Sequence, residues 1–115
     1  MRSRQLILTV AGAVLLTVAA TSHAADQNLA DKTRGQAVYQ HWCAPCHAAG
    51  PGHPGTQSLE IKYSGSLPAV LEERKDLTPE LVQTTVRQGI LLMAPFRKTE
   101  ITNAELADIA AYLSK

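Results

Sequence analysis

QHWCAPCHAAG, residues 40–50, is the stretch that decides the fold, and its letters fit two different chemistries. Trp-Cys-x-Pro-Cys is typical of a thioredoxin-like disulfide centre, whereas Cys-x-x-Cys-His is the pattern through which a c-type haem is attached. Residues 42–47 satisfy both patterns. Because a short motif is decisive only in its structural context, the sequence on either side has to separate the two interpretations.

The first 24 of the 115 residues differ in character from the rest. Two arginines precede an uncharged apolar run over residues 6–20, and small residues occupy the two positions that a signal peptidase inspects. We therefore predict a signal peptide over residues 1–24, cleaved after Ala24, because the run is shorter than the roughly 20 residues of a membrane-spanning helix. Residues 25–115 then form one domain, expected in the periplasm without a membrane anchor.

The composition of this domain argues against nucleic acid as a partner and leaves little aromatic core. Loss of Arg2 and Arg4 from 11 basic residues leaves nine against ten acidic residues, so no basic surface points to nucleic acid. The chain has one Trp, one Phe and three Tyr, which is few for the core of a small domain. A large, flat, apolar cofactor held covalently would supply the missing apolar surface.

The first half of the domain is predicted to contain two helices and much loop. Residues 25–31 form a polar lead, and KTRGQAVYQHW (residues 32–42) has apolar residues at helical spacing. The glycines and prolines of AAGPGHPGT (residues 48–56) indicate a loop. Residues 57–66 are expected to be irregular, and residues 68–75 to form a short helix that begins at a proline.

The second half has two helices with clear boundary signals. Thr78, followed by a proline, is expected to cap a helix that ends before Gly89. After a second loop, Thr102 and Glu105 have the spacing of a capping box at the start of the last helix. With no alternating strand pattern, the sequence predicts an all-α fold. The residues expected to face the core are Leu81, Val82, Thr85, Val86, Leu106, Ile109, Ala110 and Leu113.

This context favours haem attachment over the alternatives. A thioredoxin-like centre follows a buried strand and opens a helix, whereas here a predicted helix precedes Cys43 and a Gly/Pro loop follows. A zinc site formed with His53 is disfavoured because the adjacent Cys46 and His47 are poor joint ligands of a tetrahedral metal. We therefore predict one haem c, with thioethers to Cys43 and Cys46 and with His47 as an axial ligand of the iron.

Met93 is predicted to be the second axial ligand. It is the only methionine of residues 25–115, and it lies in the loop after a capped helix. A thioether is a soft, neutral ligand, so His/Met ligation stabilises Fe(II) relative to bis-His ligation. The alternatives, His53 and His41, lie too close in sequence to His47 to reach the opposite side of a haem. Two protein ligands predict an electron carrier rather than an enzyme, and the contrasting hypothesis is a small haem enzyme with an open sixth position.

These residues together resemble class I monohaem cytochrome c over nearly all of residues 25–115. Gly35 and Tyr39 match the family's pair on the N-terminal helix, and Ile109 and Tyr112 match the positions where the C-terminal helix crosses it. The resemblance implies the cytochrome c fold, in which the N- and C-terminal helices cross around one covalently bound haem.

The resemblance also implies roles for two loop residues. Pro54, in GHPGT, matches a proline whose carbonyl orients the proximal histidine through its ring N–H, with Pro51 as the alternative. Met93 matches the distal ligand. The family usually has a proline directly after this methionine, whereas the order here is Met-Ala-Pro.

Three stretches further resemble the cytochrome subunits of flavocytochrome dehydrogenases such as 4-cresol dehydrogenase (p-cresol methylhydroxylase). They are PGTQSLEIKY, LTPELVQTTVRQGI and MAPFRKTEIT. This resemblance implies an FAD-bearing partner subunit that oxidises a phenol and passes electrons singly to the cytochrome, and from there to a downstream redox protein. The alternative is a free class I shuttle between a quinoprotein dehydrogenase and a terminal oxidase.

Overall fold

A computed structural model describes residues 17–115, except for the side chains of residues 17–26, 29 and 30. Within this range the protein is helical, without a β-strand, which confirms the predicted all-α fold. The predicted signal peptide, residues 1–24, lies for the most part outside the described residues. No helix in the described part is long and apolar enough to cross a membrane. The helices are α1 (Thr17–Trp42), α2 (Ala44–His47), α3 (Pro54–Tyr63), a 3₁₀ turn (Leu71–Glu73), α4 (Pro79–Gln88) and α5 (Asn103–Leu113).

The prediction of a polar lead over residues 25–31 is wrong, because these residues belong to α1. The segment contains neither glycine nor proline, and polar residues alone do not end a helix. Ion pairs support the helix further on. Arg34 pairs with Asp31 one turn before it, and its Nε lies 3.1 Å from Asp108 on α5.

The prediction of irregular structure over residues 57–66 is also wrong, because α3 occupies most of this segment. Pro54 is the first residue of α3, where its fixed φ favours the helix, and Ser64 ends the helix in the left-handed conformation with φ 47°. Thr56 is the only buried residue of α3, so its sequence shows little amphipathic pattern. The helix predicted over residues 68–75 is reduced to the 3₁₀ turn.

Both of the helix starts predicted from capping residues are confirmed. The Thr78 hydroxyl accepts a hydrogen bond from the Leu81 N–H at 3.2 Å, and Gly89 ends α4 with φ 71°. At α5 the capping box is complete, because the Glu105 N–H donates to the Thr102 hydroxyl at 3.2 Å and the Thr102 N–H donates to the Glu105 carboxylate at 2.8 Å.

The predicted core is confirmed for six of its eight residues. The four predicted residues of α5 are buried, as are Val82 and Val86 of α4, whereas Leu81 is 46% exposed and Thr85 is half-buried. Leu81 therefore lies at the edge of the α4 stripe rather than inside it. The buried hydrophobic residues are Tyr39, Ala44, Leu77, Val82, Val86, Ile101, Leu106, Ile109, Ala110 and Leu113.

Helices α1 and α5 pack at the glycine that the resemblance identified. A Cβ atom at Gly35 would lie 2.8 Å from the Tyr112 Cβ and would overlap the Asp108 carbonyl, so the two backbones are in contact there. One turn later Tyr39 is fully buried, and its ring centroid lies 5.6 Å from that of Tyr112. The predicted crossing of the terminal helices is thus present, and it places the end of α1 beside the core.

Candidate haem-attachment site

The Cys-x-x-Cys-His motif forms the turn that follows α1. The Cys43 N–H donates to the Tyr39 carbonyl at 2.8 Å, and the His47 N–H donates to the Cys43 carbonyl at 2.9 Å. Hydrogen bonding therefore continues from α1 into the single turn of α2. Helical spacing brings the two sulfurs and the imidazole within one turn of each other, as attachment to one edge of a flat ring and to its central metal requires.

No disulfide joins the two cysteines of the motif. Cys43 is half-buried and Cys46 is exposed. Desolvation, together with the nearby Cys46, raises the pKa of Cys43 to about 11. The reactive thiol of a dithiol redox centre instead has a lowered pKa. The raised pKa of Cys43 and the helix, rather than a strand, before the motif both argue against the thioredoxin-like interpretation.

His47 follows the second cysteine, and its side chain is half-buried. Burial lowers the pKa of its imidazole, which favours the neutral form that binds a metal. The side chain lies directly against the first turn of α3, because a Cβ atom at Gly55 would be 2.6 Å from His47 Cε1 and 2.8 Å from Nδ1. Glycine at this position therefore makes room for the ring.

The hydrogen bond predicted from His47 to the Pro54 carbonyl is not formed. His47 Nδ1 is buried without a partner, and the Pro54 carbonyl accepts from the Ser58 hydroxyl at 2.8 Å. The physical reason is that Pro54 begins α3, so its carbonyl is directed along the helix toward the next turn. A role for Pro54, or for Pro51, in the haem site stays a prediction.

Two hydroxyl groups that the sequence did not identify fasten the backbone after the motif. The Tyr39 O–H donates to the His47 carbonyl at 3.2 Å, and the Thr56 hydroxyl donates to the Ala48 carbonyl at 2.9 Å. Both side chains are almost fully buried. The backbone of His47 is therefore connected to α1, and that of its neighbour Ala48 to α3.

Met93 lies in a tight turn between α4 and α5. Ile90 and Met93 exchange two backbone hydrogen bonds, of 3.0 and 2.9 Å, and Leu91 between them has φ 52°. Met93 is half-buried and packs against the hydrophobic core, as Cys43 does. Three residues after Met93, the Phe96 ring lies 5.8 Å from the Trp42 ring at the end of α1. The core and this ring contact connect the methionine loop to the end of α1.

Three exposed apolar residues directly precede Met93, and no sequence pattern predicted their exposure. Leu91 is 92% exposed, Leu92 98% and Ile90 51%. We call Ile90, Leu91 and Leu92 the apolar tip. Three consecutive exposed apolar side chains form a continuous surface beside the candidate ligand, unlike the isolated surface leucines that are common in soluble proteins.

The rival ligands are engaged near His47. His53 precedes the first residue of α3, and its Nδ1 lies 3.1 Å from the Pro45 carbonyl. His41 is exposed, and its ring lies edge-on to Trp42 at 4.9 Å. Among the side chains that the structure describes (residues 27, 28 and 31–115), no group of three or more His, Cys, Asp or Glu is arranged to hold a metal ion.

The side chains of the motif fit a covalently attached haem. Its vinyl groups require two thiols, which Cys43 and Cys46 provide, and its iron requires a neutral imidazole, which His47 provides. The buried, unpartnered Nδ1 of His47 is compatible with ligation through the opposite ring nitrogen. Met93 supplies the only thioether of residues 25–115.

Comparison with known proteins identifies a family for most of the chain. The family model described as cytochrome c oxidase, cbb3-type, subunit III matches residues 30–113, which include the whole candidate site. No curated protein and no solved structure matches the chain. A cytochrome c domain carries a covalently bound haem c, and Cys43 and Cys46 have the spacing of its attachment motif.

Proposed function

Since the chain belongs to this cytochrome c family, we propose that it is a periplasmic carrier of single electrons whose iron is ligated by His47 and Met93. The observation that carries the proposal is the single helical turn that presents both thiols and a neutral, half-buried imidazole. When bound, the haem supplies the one-electron Fe(II)/Fe(III) couple.

The chain's own residues determine what this couple can do. The neutral His47 imidazole is a ligand that adds no charge, and the Met93 thioether favours Fe(II). If His47 and Met93 hold the iron, both positions would be filled by side chains and no external substrate would reach it, as expected of an electron carrier rather than of a catalyst. The contrasting hypothesis, a haem enzyme, would require an open position and a distal acid–base group.

We further propose an FAD-dependent dehydrogenase of the 4-cresol dehydrogenase type as the electron donor. Support comes from the resemblance of three stretches to the cytochrome subunits of such flavocytochromes, as set out above. The apolar tip beside Met93 provides a surface suited to docking. Oxidation of a phenol releases two electrons, so each turnover of the flavin would reduce the cytochrome twice before its electrons pass to a downstream redox protein.

The second candidate is a free shuttle that delivers electrons from a quinoprotein dehydrogenase to a terminal oxidase. The match to a family of cytochrome c oxidase subunits favours an oxidase as acceptor. In this case the carrier would bind its partners transiently, and no dedicated flavoprotein would be associated with it.

Gentle co-purification of the haem-loaded protein from its native periplasm separates the two candidates. We expect a flavin-bearing partner whose flavin is bleached by a phenolic substrate while the haem becomes reduced. A cytochrome that returns alone, or with a quinoprotein, contradicts the flavocytochrome assignment and favours the shuttle. A variant with both Leu91→Ser and Leu92→Ser should lose the partner and keep its haem spectrum, because these side chains are exposed.

A further inference from the structure

Arg87, in the last turn of α4, donates hydrogen bonds to the loop that contains Met93 and to the start of α5. Its Nη1 donates to the Phe96 carbonyl at 3.1 Å. Its Nη2 donates to the Ile101 carbonyl at 2.8 Å and to Asn103 Oδ1 at 3.1 Å. One half-buried guanidinium thus joins the end of α4 to the middle of the loop, to its end, and to the first residue of α5.

Phe96, three residues after Met93, is the loop residue nearest the methionine in sequence that is hydrogen-bonded to α4. Its N–H donates to the Val86 carbonyl at 2.9 Å, while its own carbonyl accepts from Arg87. The backbone of Phe96 is therefore held on both sides by α4. Residues 89–96 form a closed loop fixed at both ends, and Met93 lies inside it, half-buried.

The loop has further contacts outside its own turn. Met93 and Phe96 pack against the hydrophobic core, and the Phe96 ring lies against Trp42 of α1. The hydrogen bonds between Ile90 and Met93 shape the turn, and the apolar tip is exposed. The hydrogen bonds that attach the loop to α4 and α5 are those of the Phe96 backbone and of Arg87.

Only an arginine can make this set of contacts. The guanidinium is planar and presents several N–H donors in a rigid fork, so it can serve three acceptors at once. A lysine at the same position would keep the positive charge near the C-terminus of α4, but its single ammonium group cannot span the three acceptors.

We propose that Arg87 is a positioning residue for the axial methionine: by fixing the Met93 loop to α4 and α5 it keeps the Met93 sulfur on the iron against competing external ligands. The proposal rests on the proposed function, because it requires Met93 to be the ligand. Arg87 itself touches neither the iron nor the haem.

Imidazole titration of the ferric, haem-loaded protein tests this proposal, with the absorption spectrum as readout. We expect Arg87→Lys to bind imidazole roughly tenfold more tightly than wild type. The reason is that loss of about one hydrogen bond makes release of Met93 from the iron about tenfold more favourable, and imidazole binds where Met93 is released. The reduction potential should fall as well, because loss of the thioether destabilises Fe(II). Far-UV circular dichroism should show unchanged helix content.

Two further variants serve as controls. Arg97→Lys changes an exposed arginine of the same loop that pairs only with Glu100, and it should bind imidazole as wild type does. Asn103→Ala removes one of the three Arg87 acceptors and should give a smaller increase in affinity than Arg87→Lys. Should Arg87→Lys fail to fold, the Asn103→Ala increase decides the proposal.

The possible failures are distinguishable. If Arg87→Lys binds imidazole as wild type does while Met93→Ala binds it at once, Arg87 has no positioning role and Met93 remains the ligand. If Met93→Ala leaves the ligand field and the potential unchanged, Met93 is not the ligand, and both the ligation and the role of Arg87 are overturned.

Discussion

At the scale of single residues, the orientation of His47 depends on neighbours that would not contact the iron. The Tyr39 hydroxyl holds its carbonyl, and Gly55 leaves space for the edge of its ring. The resemblance to class I cytochromes c identified Tyr39 through its ring, at the helix crossing. Its hydrogen bond to the motif depends on the course of the chain after α2, and no local pattern in the sequence specifies that course.

Tyr39→Phe should separate the hydroxyl from the ring. The packing against Tyr112 is retained, and only the hydrogen bond to His47 is lost, so the free energy of unfolding should fall by about 1 kcal/mol. Chemical denaturation of the haem-loaded protein measures this change. Because burial raises the pKa of Tyr39 above its usual value, the contribution of this hydrogen bond should not vary between about pH 6 and pH 9. A loss as large as that of Tyr39→Ala would show that the hydroxyl has another role.

Gly55→Ala should displace His47. The new Cβ would lie 2.6 Å from His47 Cε1, so the ring or the start of α3 has to move. We expect reduced haem loading and an altered ligand-field spectrum. Gly52→Ala is the matched control, because it adds a methyl group at φ 88° with no atom within 4 Å. It should destabilise the fold and leave the haem spectrum unchanged. Equal spectra for Gly55→Ala and wild type would contradict the position of the His47 ring against Gly55.

At the scale of secondary-structure elements, the sequence predicts a helix correctly where contacts between residues close in the chain mark its start. The starts of α4 and α5 were predicted correctly because Thr78 and Thr102 bond to backbone groups within the next turn. Helix α3 was missed because only Thr56 is buried, so no apolar periodicity marks it. The extension of α1 was missed because its polar residues are compatible with both helix and loop. Arg87 carries no sequence signal at all, since its acceptors are mostly backbone carbonyls.

The α5 capping box should make stability depend on pH. Hydrogen bonds from the Thr102 N–H and then from its hydroxyl lower the pKa of Glu105 below its ordinary 4.5. A carboxylate with a lowered folded-state pKa stabilises the protein above its unfolded-state pKa, and this contribution disappears as the pH falls through the folded-state value. Glu105→Gln should therefore unfold with a weaker acid dependence below about pH 4.5, measured by thermal denaturation across pH. An identical acid dependence in wild type and variant would rule out this contribution.

At the scale of the whole molecule, α1 and α5 cross at Gly35, and Cys43 of the motif and Met93 of the loop pack against the same hydrophobic core. The crossing at Gly35 followed from the sequence through the resemblance, and the family match over residues 30–113 agrees with it. The apolar tip could not be predicted, because exposure of leucines depends on which surfaces the other helices leave uncovered. Together these features favour a carrier that docks beside its methionine loop.

The measurement that tests this account most directly is the absorption spectrum of the reduced, haem-loaded protein before and after addition of carbon monoxide. We predict no rapid change in wild type, because under the proposed ligation His47 and Met93 would fill both axial positions, and immediate binding in Met93→Ala. Rapid binding of carbon monoxide to wild type would show an open iron position and would contradict the assignment of an electron carrier with His/Met ligation.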